Sequence, residues 1–130
     1  MKKEHVIKIL RDIDKDNPLY QKAETVLHIL EEDKDYIIQD SRKGIKKERE
    51  IRIMEEYIRR EKPSQEKGGV YDQLELVKKE KGLIYHLDVF PKKYWIYIVL
   101  NRKNKILRLN VNENRPFDIK TGCDLMDYEI

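Results

Sequence analysis

The sequence predicts an α+β domain, with helices first, an antiparallel sheet after, and the helices packed on one face of that sheet. Three observations predict it. Apolar residues recur at three- and four-residue spacing up to about residue 61 and alternate at period two between residues 83 and 112. The stretch "PSQEKGG", residues 63–69, separates the two regimes with turn-forming residues at both ends. A length of 130 residues fits one compact domain. Its parts are a helical half over 1–62, a linker over 63–69 and a sheet half over 70–130.

A first helix is expected over about 4–13, lined by Val6, Ile9, Leu10 and Ile13 and ended by the polar run "DIDKDN". A second is expected over about 18–32. Asn17 is placed to cap it, and Pro18 fits the first helical position, where its missing N–H costs nothing. Leu19, Ala23, Val26, Leu27 and Leu30 then form one apolar stripe. The polar stretch "QDSRKG" reads as a break. A long third helix is expected over about 44–61, with Ile45, Ile51, Met54 and Ile58 on its apolar side, Ile53 and Tyr57 widening it, and Pro63 as its stop.

The remainder reads as a β-meander with strands over about 70–77, 83–90, 94–101 and 105–112. The first of these, "VYDQLELVKKE", also has spacing that suits a helix. Pairing Val89 with Ile96 and Leu100 with Leu107 requires even-numbered turns, the second centred on Lys103 and Asn104. One face then gathers Leu74, Leu76, Leu83, Tyr85, Leu87, Val89, Tyr94, Ile96, Ile98, Leu100, Leu107, Leu109 and Val111, a bed for the helices. The other face carries rows that mix rings with hydrogen-bonding tips: His86–Val99–Arg108, Asp88–Tyr97–Asn110 and Phe90–Trp95–Asn112. Side chains opposed across neighbouring strands stand about 5 Å apart at Cβ, so each row is one contact surface.

Charged residues make up 41% of the chain, with 28 basic against 25 acidic, so long-range steering toward a polyanion is weak overall. The distribution is uneven. Residues 1–41 carry seven basic and ten acidic side chains, 42–62 nine and five, 63–118 eleven and seven, and the last twelve one and three. Cys123 is the lone cysteine, which excludes an internal disulfide and points to a reducing compartment, the cytoplasm by default. No apolar run has signal or membrane-spanning length. His5, His28 and His86 lack ligand spacing, so no metal and no cofactor are implied. No phosphate-cradling glycine motif or nucleophile elbow occurs, and Ser41 and Ser64 both lie in polar connections.

The expected function is that of a small intracellular, non-enzymatic binding or regulatory protein. Its free sheet face, with Phe90, Trp95, Tyr97, His86 and Arg108, would contact a protein partner or a second copy of the chain. The C-terminal segment could instead cover that face through Phe117, Ile119, Leu125 and Met126. A second reading is nucleic-acid binding through Lys46, Lys47, Arg49, Lys92, Lys93, Arg102 and Lys103, within a basic run that also includes Arg42 and Lys43. A third is metal-independent RNA cleavage, for which His86, Asp88, Tyr97 and Arg108 have suitable chemistry for moving protons and stabilising a phosphate. In order of elements, residues 40–112 loosely resemble the RelE-type ribonuclease toxins, which place helices before an antiparallel meander and cut RNA on the sheet. Those toxins carry Arg and Lys in the strand after the glycine. Here "GLIYHLDVF" offers His86 and Asp88 and no basic residue.

Overall fold

The computed structural model describes residues 1–113, together with the backbone of two short strands, Phe117–Asp118 and Cys123–Asp124. The expected cover by Phe117, Ile119, Leu125 and Met126 lies outside the described side chains. In chain order the elements are α1 (Lys3–Arg11), α2 (Tyr20–Glu32), β1 (Ile37–Lys46), α3 (Lys47–Glu61), α4 (Val70–Lys78), β2 (Leu83–Phe90), β3 (Trp95–Leu100) and β4 (Ile106–Asn112), followed by the two-residue strands β5 and β6. Strands β1 to β4 form one antiparallel sheet in sequence order, so the α+β class holds.

The first two helices follow the expected stripes. Val6 and Leu10 of α1 and Ala23, Val26 and Leu30 of α2 are buried, as is Leu19 just before it. Asn17 holds the entry to α2, its Oδ1 accepting from the Leu19 N–H at 2.9 Å, although regular helix begins only at Tyr20. These side chains pack on Leu87, Val89, Ile96, Ile98, Leu100, Ile106 and Leu109, the apolar face assigned from alternation with one exchange. The exchange lies in the β3–β4 hairpin. Its loop has three residues, Arg102–Asn104, with Asn104 at φ +60° and the Asn101 side chain accepting from the N–H groups of Lys103 and Lys105. A bulge follows, so Leu100 pairs with Ile106, Val99 still pairs with Arg108, and Leu107 turns to the opposite face. An odd loop and a bulge together restore the parity that an even loop was expected to give.

Three expectations are corrected. Residues 37–46 are not a polar break followed by a helix from 44; they form an edge strand, and α3 begins at Lys47. Polar and charged residues are the ordinary composition of an edge, which is why alternation there is faint. Gly44 is needed in this strand, because a Cβ at that position would lie 2.6 Å from the Cβ of Leu83. Residues 70–77 are a helix, not a strand: Val70, Leu74 and Val77 recur at helical spacing, and Leu74 and Val77 are buried. Buried Gln73 fixes α4 to the sheet, its Nε2 donating to the carbonyls of Gly68 (2.8 Å) and Leu109 (3.3 Å).

The third correction is the one that matters for function. Helices do not lie on one face only. Met54 of α3 and Leu74 and Val77 of α4 form a second core with Ile84, Phe90, Trp95, Tyr97, Val99 and Leu107, so both faces of the sheet are covered. The expected fold laid all three helices, including the one over 44–61, on a single face. Once 70–78 is helical, the α3–α4 pair supplies the cover. Trp95 is only 4% exposed. The expected consequence is that Trp95→Ala lowers stability by about 3–5 kcal/mol, as for a large buried ring, in urea unfolding followed by far-UV circular dichroism. A loss under about 1 kcal/mol would mean that this face is not a core.

Candidate functional site

Antiparallel pairing delivers the predicted rows. His86 pairs with Val99 and Val99 with Arg108; Asp88 pairs with Tyr97 and Tyr97 with Asn110; Trp95 pairs with Asn112. What alternation alone did not contain is Glu50, which descends from the first turns of α3 and is fully buried. Its Oε1 accepts from the Arg108 guanidinium, and its Oε2 stands 3.5 Å from His86 Nε2. The other ring nitrogen, His86 Nδ1, is hydrogen-bonded to the Tyr97 hydroxyl. The two rings meet edge to face at 5.3 Å between centroids, and the Arg108 guanidinium lies 5.3 Å from the centroid of the Tyr97 ring.

These contacts account for the charges. A buried carboxylate is tolerable when a cation and further donors face it, and Arg108 supplies the cation. The direction of the Tyr97–His86 hydrogen bond follows the imidazole tautomer, and Glu50 Oε2 and His86 Nε2, 3.5 Å apart, are both buried without a hydrogen bond. Burial, the largest influence, holds the His86 pKa below its ordinary value; Glu50 pulls it upward, and Arg108 and Arg49 push it down. Next along the sheet, the Trp95 indole N–H donates to Asp88 at 2.7 Å, so the indole's one polar atom is also satisfied inside. With its amide oriented to suit its neighbours, Asn110 donates to Gln73 Oε1 at 3.3 Å and accepts from Arg108 Nε at 3.2 Å.

The rows expected to form a free contact surface are therefore interior. Phe90, Trp95 and Tyr97 are 2%, 4% and 8% exposed, and the side chains of His86 and Arg108 retain 19% and 14%. His86, Asp88, Tyr97 and Arg108 do come together, as a network bridging the sheet to α3. Where the row meets the surface, a cleft of about 310 Å³ opens between α3, the segment after it, α4 and the strands, with Tyr57, Arg60, Trp95, Tyr97 and Arg108 among its lining residues. His86 faces Glu50 and Tyr97 instead of this opening.

The basic residues sort differently. The end of the sheet where β1 finishes and β2 begins also holds the β3–β4 turn, because Lys46 pairs with Leu83 and Tyr85 with Leu100. Arg42 donates to Asn104 Oδ1 at 3.2 Å, Lys47 Nζ to the Lys78 carbonyl at 3.0 Å, and a Cβ at Gly82 would sit 3.4 Å from the Arg102 guanidinium. Lys43, Lys46, Lys47, Arg49, Arg102 and Lys103 thus share one end with Lys78, Lys79, Lys81 and Lys105. All of these are exposed except Lys47, which is half-buried. Lys92 and Lys93 do not join them. They follow Phe90, which pairs with Ile37 at the opposite end, and the Lys92 N–H donates to Asp33 at 2.7 Å.

Sequence reasoning missed Glu50, Gln73 and the lysines of 78–81 and 105. The signal for Glu50 was present: it precedes Met54 by four residues and so falls on the apolar stripe of α3. The lysines of 78–81 fall between the strands expected over 70–77 and 83–90, and alternation of turns already places that connection at the same end of the sheet as Lys103. No family model, curated protein or solved structure matches this chain. Among the described residues no group of three or more His, Cys, Asp and Glu converges, and no helix is long and apolar enough to cross a membrane.

The cluster has a pH signature. An unfolded imidazole takes up its proton near pH 6.5, whereas folded His86 does so only at lower pH. Stability from this group is therefore complete above about pH 6.5 and is lost as pH falls from there to the folded value. Urea midpoints measured from about pH 7.5 down to about pH 5 should decline in the native chain and decline less steeply in His86→Gln. Parallel curves for the two proteins would remove His86 from the account.

Proposed function

We propose that this chain is a small binding protein that holds nucleic acid by its phosphate backbone, through the basic end of its sheet. The observation that carries the reading is the convergence of three sequence-distant basic segments, 42–49, 78–81 and 102–105, on that end. Two nearby acidic groups are engaged, while Glu48 is exposed within the first basic segment. Asp40 accepts from the Met1 ammonium and from Arg42, each at 3.0 Å, and Glu80 accepts from Asn101. Asp12 and Asp14 border the patch on the helix side, across a groove that includes Lys103 and Lys105.

The near-neutral total charge does not oppose this. Screening limits each charge to its neighbourhood, about 8–10 Å at physiological salt, so the local density of cations sets the contact and the distant acidic segments contribute little. Binding rather than catalysis is favoured because His86, the residue best suited to move a proton, has its two ring nitrogens directed at Tyr97 and Glu50.

Fluorescence anisotropy with a labelled mixed-sequence oligonucleotide tests the proposal. Expected is a Kd of about 10⁻⁴–10⁻⁶ M at physiological salt, tightening on dilution so that log K is linear in log salt. Lys103→Glu combined with Lys105→Glu should weaken binding at least about tenfold and flatten the slope by about two. Lys92→Glu with Lys93→Glu, at the far end, should change little. Absence of binding at low salt, or an equal loss from the far-end pair, contradicts the reading.

A further inference from the structure

The geometry points to double-stranded nucleic acid, not single strands, as the ligand of the basic end, an inference that rests on the reading above and adds the form of the polymer. Proteins that grip single strands combine cations with exposed rings on which successive bases stack. The basic end has cations and no such platform. Among the described residues the exposed large apolar side chains are Ile37 and Tyr57. Ile37 pairs with Phe90 at the opposite end of the sheet, and Tyr57 lies in the C-terminal half of α3, at the cleft. One ring does approach the patch, that of Tyr85, but it is half-buried and the Arg42 guanidinium sits over it, 5.5 Å from its centroid.

The other rings of the sheet that would suit bases, Phe90, Trp95 and Tyr97, are enclosed by α3 and α4. The cations themselves are carried on three separate stretches: the irregular end of β1 running into the first turn of α3, the end of α4 with the α4–β2 turn, and the β3–β4 turn. Contacts spread over separate stretches suit two phosphate rails better than one flexible strand, and a duplex presents the higher charge density, with one charge for each ~1.7 Å of axis. Contacts of this type position the protein without reading sequence, so unrelated duplexes are equivalent ligands.

Anisotropy titrations of the full chain against a mixed-sequence duplex of about 20 base pairs, in DNA and in RNA form, and against either of its strands alone, test this. Expected is binding to duplex at least about tenfold tighter than to a single strand, two unrelated duplexes within about twofold of each other, and no change in duplex affinity for Tyr85→Leu. The DNA and RNA arms identify which duplex is preferred. Equal or tighter binding to the single strand, or a loss for Tyr85→Leu on single strands, would overturn the inference while leaving the backbone-binding reading intact. Failure to bind any of the oligonucleotides removes both.

Discussion

The fold depends on one buried carboxylate. Burying the second face of the sheet requires covering His86, Arg108, Asp88 and Tyr97, and a purely apolar helix laid over them would strand an Arg charge and several hydrogen-bonding groups away from water. Glu50 answers the Arg108 charge with one oxygen, while its other oxygen and His86 Nε2 face each other at 3.5 Å, buried and without a hydrogen bond. Asp88 takes the Trp95 indole N–H, and Gln73 spans from α4 to the β4 backbone. Polar groups on α3 and α4 thus match polar groups on the strands, and Met54, Leu74 and Val77 close the apolar remainder. The same set of residues that looked like a recognition surface is the seam holding the second helical layer down.

Much of the sheet was legible in the sequence. The alternation from 83 to 112 contained the order of β2, β3 and β4 and nearly every pair among them, because a one-residue slip would turn every side chain to the wrong face. The helical stripes of α1 and α2 were equally plain. Legibility failed where two periods fit one segment, as in "VYDQLELVKKE", and where an edge strand wore a loop's composition, as in Ile37–Lys46. Those two errors compounded. Reading 70–77 as a strand removed one covering helix and left the aromatic rows apparently free. Whether Trp95 faces water is a question of what lies above it, and period-two alternation carries no information on that.

The basic end shows the converse. No single segment of the chain stands out for charge, and Lys92 and Lys93 look as eligible as Arg102 and Lys103. Topology separates them: in an antiparallel sheet alternate turns fall at opposite ends, so the β2–β3 turn is parted from the β3–β4 turn while the α4–β2 turn and the β1–α3 junction join the latter. Strand order, once fixed by the two apolar cores, thereby decides which lysines act together. Core packing and surface electrostatics are linked through the topology, although the two sets of side chains scarcely touch.

The claim at the centre of the account is that α3 and α4 enclose the second sheet face, and the single tryptophan of the chain reports on it directly. Trp95 emission in the native protein should be blue-shifted relative to the unfolded chain and should resist quenching by iodide, with both properties lost together on unfolding. Native emission at the position of a solvated indole, quenched as readily as free tryptophan, would show an open face and contradict the two-layered core on which the whole description stands.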